Sequence, residues 1–236
     1  LSLHDALPIW IKVYINEKNL GDYPNRLQAA SYAKGKYIKY LDSDDIIYPH
    51  GLEVMVRAME QYPEATIGMT FNNYEEKTKL PVMFTTKEAF LFHFSYKGLL
   101  YIGPSGCIYR KDYFDSVGGF DPQFKVAADY HFNTKAASQN SIVLFNRDLV
   151  WWRQHEGQEI INSNRNNDYI ILNYKIHKQI IPQTKIDTDI IKKILYNNEI
   201  LMARRLLKMI IRLKFSIVSK IIDRKSTRLN SSHRIR

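Results

Sequence analysis

The sequence predicts an α/β fold in which a mixed, mostly parallel sheet is covered by helices. Short apolar stretches typical of strands alternate with stretches in which apolar residues recur every three or four positions, as they do in helices. The chain has 236 residues, of which 45% are hydrophobic, so it can form a sizeable core. One predicted strand also ends in a cluster of carboxylates, and sheets of this class bind ligands at such strand ends.

The first half of the chain alternates strand and helix patterns. Apolar and polar side chains alternate over residues 10–16, several of them β-branched, and this pattern predicts a strand. Residues 25–35 predict a helix that leads into a strand over 37–41. Over residues 52–59, apolar residues at i, i+3, i+4 and i+7 would form one face of a helix. Residues 65–71 predict a further strand.

The second half continues with further helices and one more strand region. Glycines and the prolines at 104 and 182 mark the expected turns and breaks. The predicted elements are a helix over 86–94, a strand at the end of 103–110, a short helix within 111–120, a helix over 129–140, a strand or hairpin over 141–157, and a helical region from 158 onward.

The single cysteine, Cys107, excludes an internal disulfide framework and a zinc site built from several cysteines. A chain with a single cysteine fits a reducing compartment. No apolar run approaches the ~18 residues of a membrane span. We therefore expect a cytoplasmic protein, with the inner face of the membrane as a candidate location.

The formal net charge of +10 is concentrated near the carboxyl end. Residues 189–236 hold 13 of the 34 basic residues but only 3 of the 24 acidic ones, which leaves 21 of each in the rest of the chain. A neutral body does not indicate nucleic-acid binding, so no nucleic-acid partner is expected.

Asp42, Asp44 and Asp45 lie within four residues directly after a predicted strand. Carboxylates this close destabilise one another's ionised forms unless hydrogen-bond donors or a cation compensate. One explanation is a solvated turn in which an aspartate caps the following helix. The other is a site for a hard divalent cation, which prefers carboxylate oxygens and keeps waters and substrate phosphates as further ligands.

The sequence resembles a family-2 glycosyltransferase, a nucleotide-sugar-dependent enzyme with the GT-A fold. Several motifs occur together across residues 10–160, and their order makes the resemblance far more specific than any one of them. These motifs are "NLGDYPNR", "AKGKYIKYLDSDDIIYP", "GPSGCIYRK", "VGGFDPQF", "AADYHF" and "WWRQHEG".

The resemblance implies a role for the acidic cluster. Asp42 and Asp44 look like the family's DxD pair, with Asp44 binding Mg²⁺ or Mn²⁺ on the donor diphosphate and Asp42 near the ribose or the same metal. A metal and cationic groups stabilise the charge that grows on a departing nucleoside diphosphate. For Asp45, capping of the following turn stays open beside a functional role.

Asp129 in "AADYHF" matches the family's catalytic base, which takes the proton from the acceptor hydroxyl during inversion. Ala128 stands where relatives more often have an acidic residue, so the match is imperfect. The alternative is an aspartate that only opens a helix.

Further residues match donor-binding positions of the family. Arg153 and His155 resemble a late motif whose histidine approaches the metal or diphosphate, and Arg26 matches a basic residue near the donor. Gly103 and Ser105 would lie near the donor and acceptor sugars, where glycine lets backbone approach a ligand. The alternatives are a structural histidine, a surface arginine and an ordinary turn.

The resemblance therefore implies an inverting glycosyltransferase. The expected partners are a nucleoside-diphosphate sugar and a glycan or lipid-linked acceptor, used in surface polysaccharide or glycolipid synthesis. A phosphatase of the haloacid-dehalogenase type also has a DxD after a strand, but Ile46 stands where that family has Thr or Val. A non-catalytic module that binds a membrane surface or a partner would explain the basic tail but not the acidic loop.

Both ends of the chain look unusual. Residues 1–9 and 224–236 resemble mistranslated sequencing-adapter DNA, so we expect them to be non-native; the alternative is that they are genuine frayed termini. Residues 10–160 then form a partial GT-A domain, and residues 161–223 a helical extension. Relatives carry a strand-helix unit with base contacts before the first strand here, so we expect that unit to be absent and the chain as written to transfer little sugar.

The tail over residues 189–223 has a basic amphipathic pattern. It suits a helix that lies on an anionic membrane surface or one that packs on the core or on a partner subunit. The apolar members are Ile190, Ile191, Ile194, Leu195, Leu206, Leu207, Ile210, Ile211, Ile217, Val218, Ile221 and Ile222; the basic members are Lys192, Lys193, Arg204, Arg205, Lys208, Arg212, Lys214 and Lys220.

Overall fold

The computed structural model describes the backbone of residues 11–71, 79–96, 98–153 and 168–232. Within these ranges it describes all side chains except those of residues 96, 168 and 212–232. The chain divides into two compact units, Leu1–Asn173 and Tyr174–Arg236.

The first unit alternates helices and strands, as the sequence predicts. Its helices are α1 (Asp22–Ser31), α2 (Gly51–Gln61), α3 (Thr86–Tyr96), α4 (Lys111–Ser116) and α5 (Ala128–Gln139). Its strands are β1 (Tyr37–Ile38), β2 (Ile46–Ile47), β3 (Ile67–Phe71), β4 (Val82–Phe84), β5 (Cys107–Arg110), β6 (Ile142–Asn146) and β7 (Val150–Trp151).

Five of these strands form one mixed sheet in the order β1-β5-β3-β6-β4. Strand β3 pairs parallel with β6, while β5 pairs antiparallel with both β1 and β3, and β4 pairs antiparallel with β6. The mixed sheet is confirmed. Strands β1, β3 and β6 point the same way, but because β5 lies between β1 and β3, the described residues contain only one parallel pair.

The sheet is central because its middle strands are buried on both faces. All five residues of β3 are buried, as are four of the five in β6. Helix α2 contributes Met55 and Met59 to a core shared with Ile108, Val143 and Phe145. This burial fixes the strand ends, from which the loops of the candidate site extend.

The strand expected over residues 10–16 is wrong for the part that is described, because residues 11–16 have no strand structure. A strand needs a hydrogen-bonded neighbour, and none of the described strands pairs with this segment. Ile15 is 85% exposed, and Tyr14 stacks instead on Tyr32 with ring centroids 3.8 Å apart. The strand expected over 37–41 is also shorter, since the chain leaves β1 after Ile38 to form the acidic loop.

Two longer helices follow in the second half: α6 (Asp168–Ile180), which crosses the boundary between the units, and α7 (Thr188–Ser232). The break expected at Pro182 is confirmed, because Ile181–Gln183 form a short 3₁₀ helix there. Within the second unit, Lys178 donates to Glu199 at 2.9 Å, which joins the two helices. No helix in the described part of the chain combines the length and apolar character needed to cross a membrane.

Candidate active site

The acidic cluster lies in the loop between β1 and β2. Its turn is closed by the backbone N–H of Asp45, which donates to the carbonyl oxygen of Asp42 at 3.0 Å. After the turn, Ile46 lies opposite Trp151 in a two-stranded antiparallel sheet of β2 and β7. The loop is therefore held from both sides, which gives its carboxylates fixed positions.

Arg26 on α1 holds Asp42. The Arg26 Nη1 atom donates to Asp42 Oδ1 at 2.6 Å, and its Nε donates to Asp22 Oδ1 at the same distance. The guanidinium group also lies over the rings of Tyr23 and Tyr40, at 5.7 and 5.8 Å from their centroids. Because the Arg26 and Asp42 side chains are only 17% and 32% exposed, this ion pair is better shielded than a surface pair.

The glycine-bounded turn at residues 103–106 contacts the same loop. The backbone N–H of Asp42 donates to Ser105 Oγ at 3.1 Å. The partly buried amine of Lys39 donates to the carbonyl oxygens of Tyr40 and Ser105. Burial lowers the pKa of Lys39 to about 8. Ser105 is thus tied to Asp42 through its side chain and to Lys39 through its backbone.

Asp129 lies in the first turn of α5, next to this turn. Its Oδ1 accepts the backbone N–H of Tyr130 at 2.6 Å. A methyl group built on Gly103 would lie 3.8 Å from Asp129 Oδ2, so the glycine backbone passes beside the carboxylate. Burial raises the pKa of Asp129 to about 7, although the Tyr130 N–H, the Tyr23 hydroxyl and the Arg26 charge oppose the rise.

Asp45 has a different set of contacts. Its Oδ1 accepts the backbone N–H of Arg153 at 3.2 Å, just beyond β7. The Arg153 guanidinium lies 5.6 Å from the centroid of the Trp151 ring. Asp45 therefore links the acidic loop to the segment after β7, and no side chain caps the N-terminus of α2.

The structure brings together most of the residues that the sequence singles out. Contacts link Arg26, Asp42 and Ser105 directly, and Gly103 lies beside Asp129. The backbone N–H of Arg153 joins this residue to the acidic loop through Asp45. His155 lies outside the described residues.

Sequence reasoning missed Tyr23 and Lys39 as members of the site. Tyr23 precedes Arg26 by one helical turn, so both side chains lie on the same face of α1, and spacing alone could have indicated this. Its hydroxyl interacts with Asp129 while its ring lies under Arg26. Lys39 had no comparable signal, because a lysine in a strand pattern is ordinarily a solvated side chain.

The carboxylates of the acidic loop are candidate ligands for a metal ion. No group of three or more His, Cys, Asp or Glu side chains able to hold a metal occurs among the described residues. Mg²⁺ commonly uses only one or two protein carboxylates and completes its shell with waters and substrate phosphates. Asp42 and Asp44, fixed in one turn, fit that pattern, although Arg26 already occupies Oδ1 of Asp42.

A mixed sheet flanked by helices, with carboxylates in the loop at the end of a strand, is the architecture of GT-A glycosyltransferases. The fold resembles that of S. aureus TarS 1-349, with a TM-score of 0.53 and 17% identity over 73% of this chain and 48% of that one. The TarS structure in complex with UDP-GlcNAc gives the same TM-score of 0.53, at 18% identity over 74% of this chain and 51% of that one.

Part of the amino-acid sequence matches a known family. Residues 3–118 match the family described as "Glycosyl transferase family 2". This match covers just under half of the chain and supports a family-2 glycosyltransferase domain. It favours sugar transfer over the phosphatase and non-catalytic alternatives.

Two curated relatives are described as uncharacterized glycosyltransferases. YwdF of Bacillus subtilis (strain 168) is 30% identical over 142 residues, which cover 58% of this chain and 51% of YwdF. MJ1057 of Methanocaldococcus jannaschii is 49% identical over 56 residues, covering 24% of this chain and 18% of MJ1057. The chain thus spans about half of the first relative and less than a fifth of the second.

Proposed function

We propose that the protein transfers a sugar from a nucleoside-diphosphate donor to an acceptor hydroxyl, with inversion at the anomeric carbon. The observation that carries this proposal is the carboxyl of Asp129, which has a pKa raised to about 7 and is adjacent to the turn that contacts Asp42. A general base works best when its pKa is near the operating pH.

Asp129 supplies the proton-accepting step. Its carboxylate takes the proton from the acceptor hydroxyl as that oxygen forms a bond to the anomeric carbon. The bond from the anomeric carbon to the diphosphate oxygen breaks on the opposite face, and its electron pair leaves with the nucleoside diphosphate. Because Gly103 has no side chain, an acceptor can approach the carboxylate on that side.

The other site residues act on the donor. Arg26 orients Asp42 through the 2.6 Å ion pair, and Ser105 fixes the backbone of Asp42. Asp44, together with Asp42, would hold Mg²⁺ or Mn²⁺, and His155 is a further candidate ligand. Such a cation supplies charge stabilisation for the departing diphosphate. Arg153 is a candidate contact for the same group.

The donor class is supported by the structural neighbour that binds UDP-GlcNAc. A nucleoside-diphosphate sugar also fits the chemistry of the site, since carboxylates that hold a divalent cation and an adjacent arginine suit a diphosphate. We propose a glycan or a lipid-linked sugar as acceptor, within polysaccharide or glycolipid synthesis.

Two variants tested side by side separate the proposed roles. Asp129→Asn should lower turnover by about 10²–10⁴-fold while donor affinity stays unchanged, because only the proton acceptor is lost. Asp44→Ala should abolish Mn²⁺-dependent donor binding, because it removes a cation ligand. Calorimetric titration with a panel of nucleotide sugars, with and without Mn²⁺, measures binding, and product formation measures turnover.

The exposed Glu64, which lies in the turn between α2 and β3, provides a matched control. Glu64→Ala removes one negative charge outside the site and should change neither measurement. Equal loss of donor binding in Asp129→Asn would make Asp129 structural. If donor binding by Asp44→Ala still depended on Mn²⁺ as in the wild type, the acidic loop would not be the metal site.

A further inference from the structure

Helix α7 exposes large apolar side chains in its described part beyond Ile200. The exposed fractions of these side chains are 43–57%. Side chains that pack in half-buried positions have smaller exposed fractions. They are Leu201, Leu206, Leu207, Met209, Ile210 and Ile211. We call residues 201–211 the exposed segment.

The exposed segment is amphipathic. An α-helix turns by about 100° per residue, so Leu206, Met209 and Ile210 share one side, and Leu207 and Ile211 form an adjoining stripe. Arg204 and Lys208 are separated by one turn and lie on the other side, where Arg205 also falls. Leu201 falls among the basic residues, but the other apolar residues and the basic ones occupy two separate faces of the helix.

The charge of this region has a single sign. Between Glu199 and Asp223 the sequence contains six basic residues and no acidic one. The last charged pair of side chains described before the exposed segment is the contact of Lys178 with Glu199 at 2.9 Å. Arg204, Arg205 and Lys208 are exposed to solvent and stand next to the apolar face.

An apolar helix face flanked only by cations is complementary to one kind of surface. An anionic lipid leaflet accepts apolar side chains at the boundary of the acyl chains while its headgroups attract lysine and arginine. An apolar protein groove or a second copy of this basic helix would leave the cations without partners or place like charges together. We propose that the exposed segment of α7 is a membrane-surface anchor for anionic lipid.

The test uses the whole chain and sedimentation with vesicles. One set contains equal parts of phosphatidylglycerol and phosphatidylcholine, and the other contains phosphatidylcholine alone. We expect binding to the first set only, and weaker binding at high salt because screening reduces the attraction of the basic residues.

Two variants probe the two faces separately. Replacing Arg204, Arg205 and Lys208 together by Gln should weaken binding to the anionic vesicles by about 100-fold, at roughly fivefold for each cation near the surface. The double variant Leu206→Glu with Ile210→Glu should reduce binding at least as much, since it puts charge into the apolar face. Lys18→Gln, an exposed basic residue of the first unit, is the control and should bind as the wild type does.

Other occupants of this face are outcomes that would overturn the proposal. Equal binding to both vesicle sets would show that anionic lipid is not recognised. A dimer in sedimentation velocity that Leu206→Glu with Ile210→Glu dissociates would show that a second copy covers the face. Loss of the folded circular dichroism spectrum in that double variant, with unchanged vesicle binding in the glutamine variant, would show that the face packs within the protein.

Discussion

At the scale of single residues, Asp129 carries the most specific chemistry. A carboxyl in water ionises near pH 4, but burial here raises the pKa of Asp129 to about 7. The 2.6 Å contact with the Tyr130 N–H and the Tyr23 hydroxyl favour the ionised form and so limit the rise. The result is a group that accepts a proton near neutral pH.

This pKa predicts the pH dependence of both activity and stability. The base must be ionised, so turnover should be constant above pH 7 and fall by about tenfold per pH unit below it. The folded state binds a proton that the unfolded state releases between about pH 4 and 7, so the free energy of unfolding should decrease as pH rises through that window and then level off.

Asp129→Asn provides the comparison for this prediction. Because the amide does not ionise, the variant should not lose stability between about pH 4 and 7 as the wild type does. At pH 8 it should therefore be more stable than the wild type by about 2–4 kcal/mol. Urea unfolding at pH 5 and pH 8 measures the difference for both proteins. If the free energy of unfolding changed between pH 5 and pH 8 by the same amount in the wild type and in the variant, the raised pKa of Asp129 would be contradicted.

At the scale of secondary-structure elements, the close packing of β3 against its neighbours positions the sheet. A methyl group at Gly68 would lie 2.6 Å from Phe145 Cε1 and 2.9 Å from both Ile108 Cγ2 and Met59 Sδ. These atoms belong to β6, β5 and α2, all of them buried. Glycine at this position therefore lets three elements approach β3 closely.

Gly68→Ala should destabilise the protein by about 1–3 kcal/mol, because overpacking forces buried side chains away from their preferred positions. Urea denaturation measured at one pH gives the change in the free energy of unfolding. Gly35→Ala is the matched control, since a methyl group there has no neighbour closer than 3.5 Å. Equal unfolding midpoints for the two variants would show that the core accommodates the methyl group.

At the scale of the whole molecule, the only cysteine of the chain reports on global unfolding. Cys107 is the first residue of β5, an interior strand of the sheet, and is fully buried. Burial raises the pKa of its thiol to about 12, and only the thiolate reacts as a nucleophile. Both effects protect the sulfur in the folded state.

We therefore expect Cys107 to be unreactive toward a disulfide reagent at neutral pH and to react stoichiometrically in denaturing urea. The labelling rate at intermediate urea should follow the unfolded fraction measured by circular dichroism. Cys107→Ser should show no labelling under any condition. Rapid labelling of the native wild type would mean that β5 opens locally, without global unfolding.

The sequence by itself determined the fold class, because the alternation of apolar patterns depends on local periodicity alone. Helices α2 and α5 and strand β3 lie close to their predicted positions for this reason. The motif order also predicted the family, and residues 3–118 match that family. The close spacing of the acidic-loop carboxylates left a solvated turn and a cation site both open, and the resemblance to the family singled out Asp42 and Asp44 as site residues.

Only the tertiary structure decided how these residues meet. The strand pattern of residues 11–16 did not form a strand, because a strand depends on a neighbour that local periodicity cannot supply. The pairing of Arg26 with Asp42 joins residues 16 positions apart, and the contact of Asp42 with Ser105 spans 63. The raised pKa of Asp129 likewise depends on burial by distant segments, which spacing along the chain does not contain.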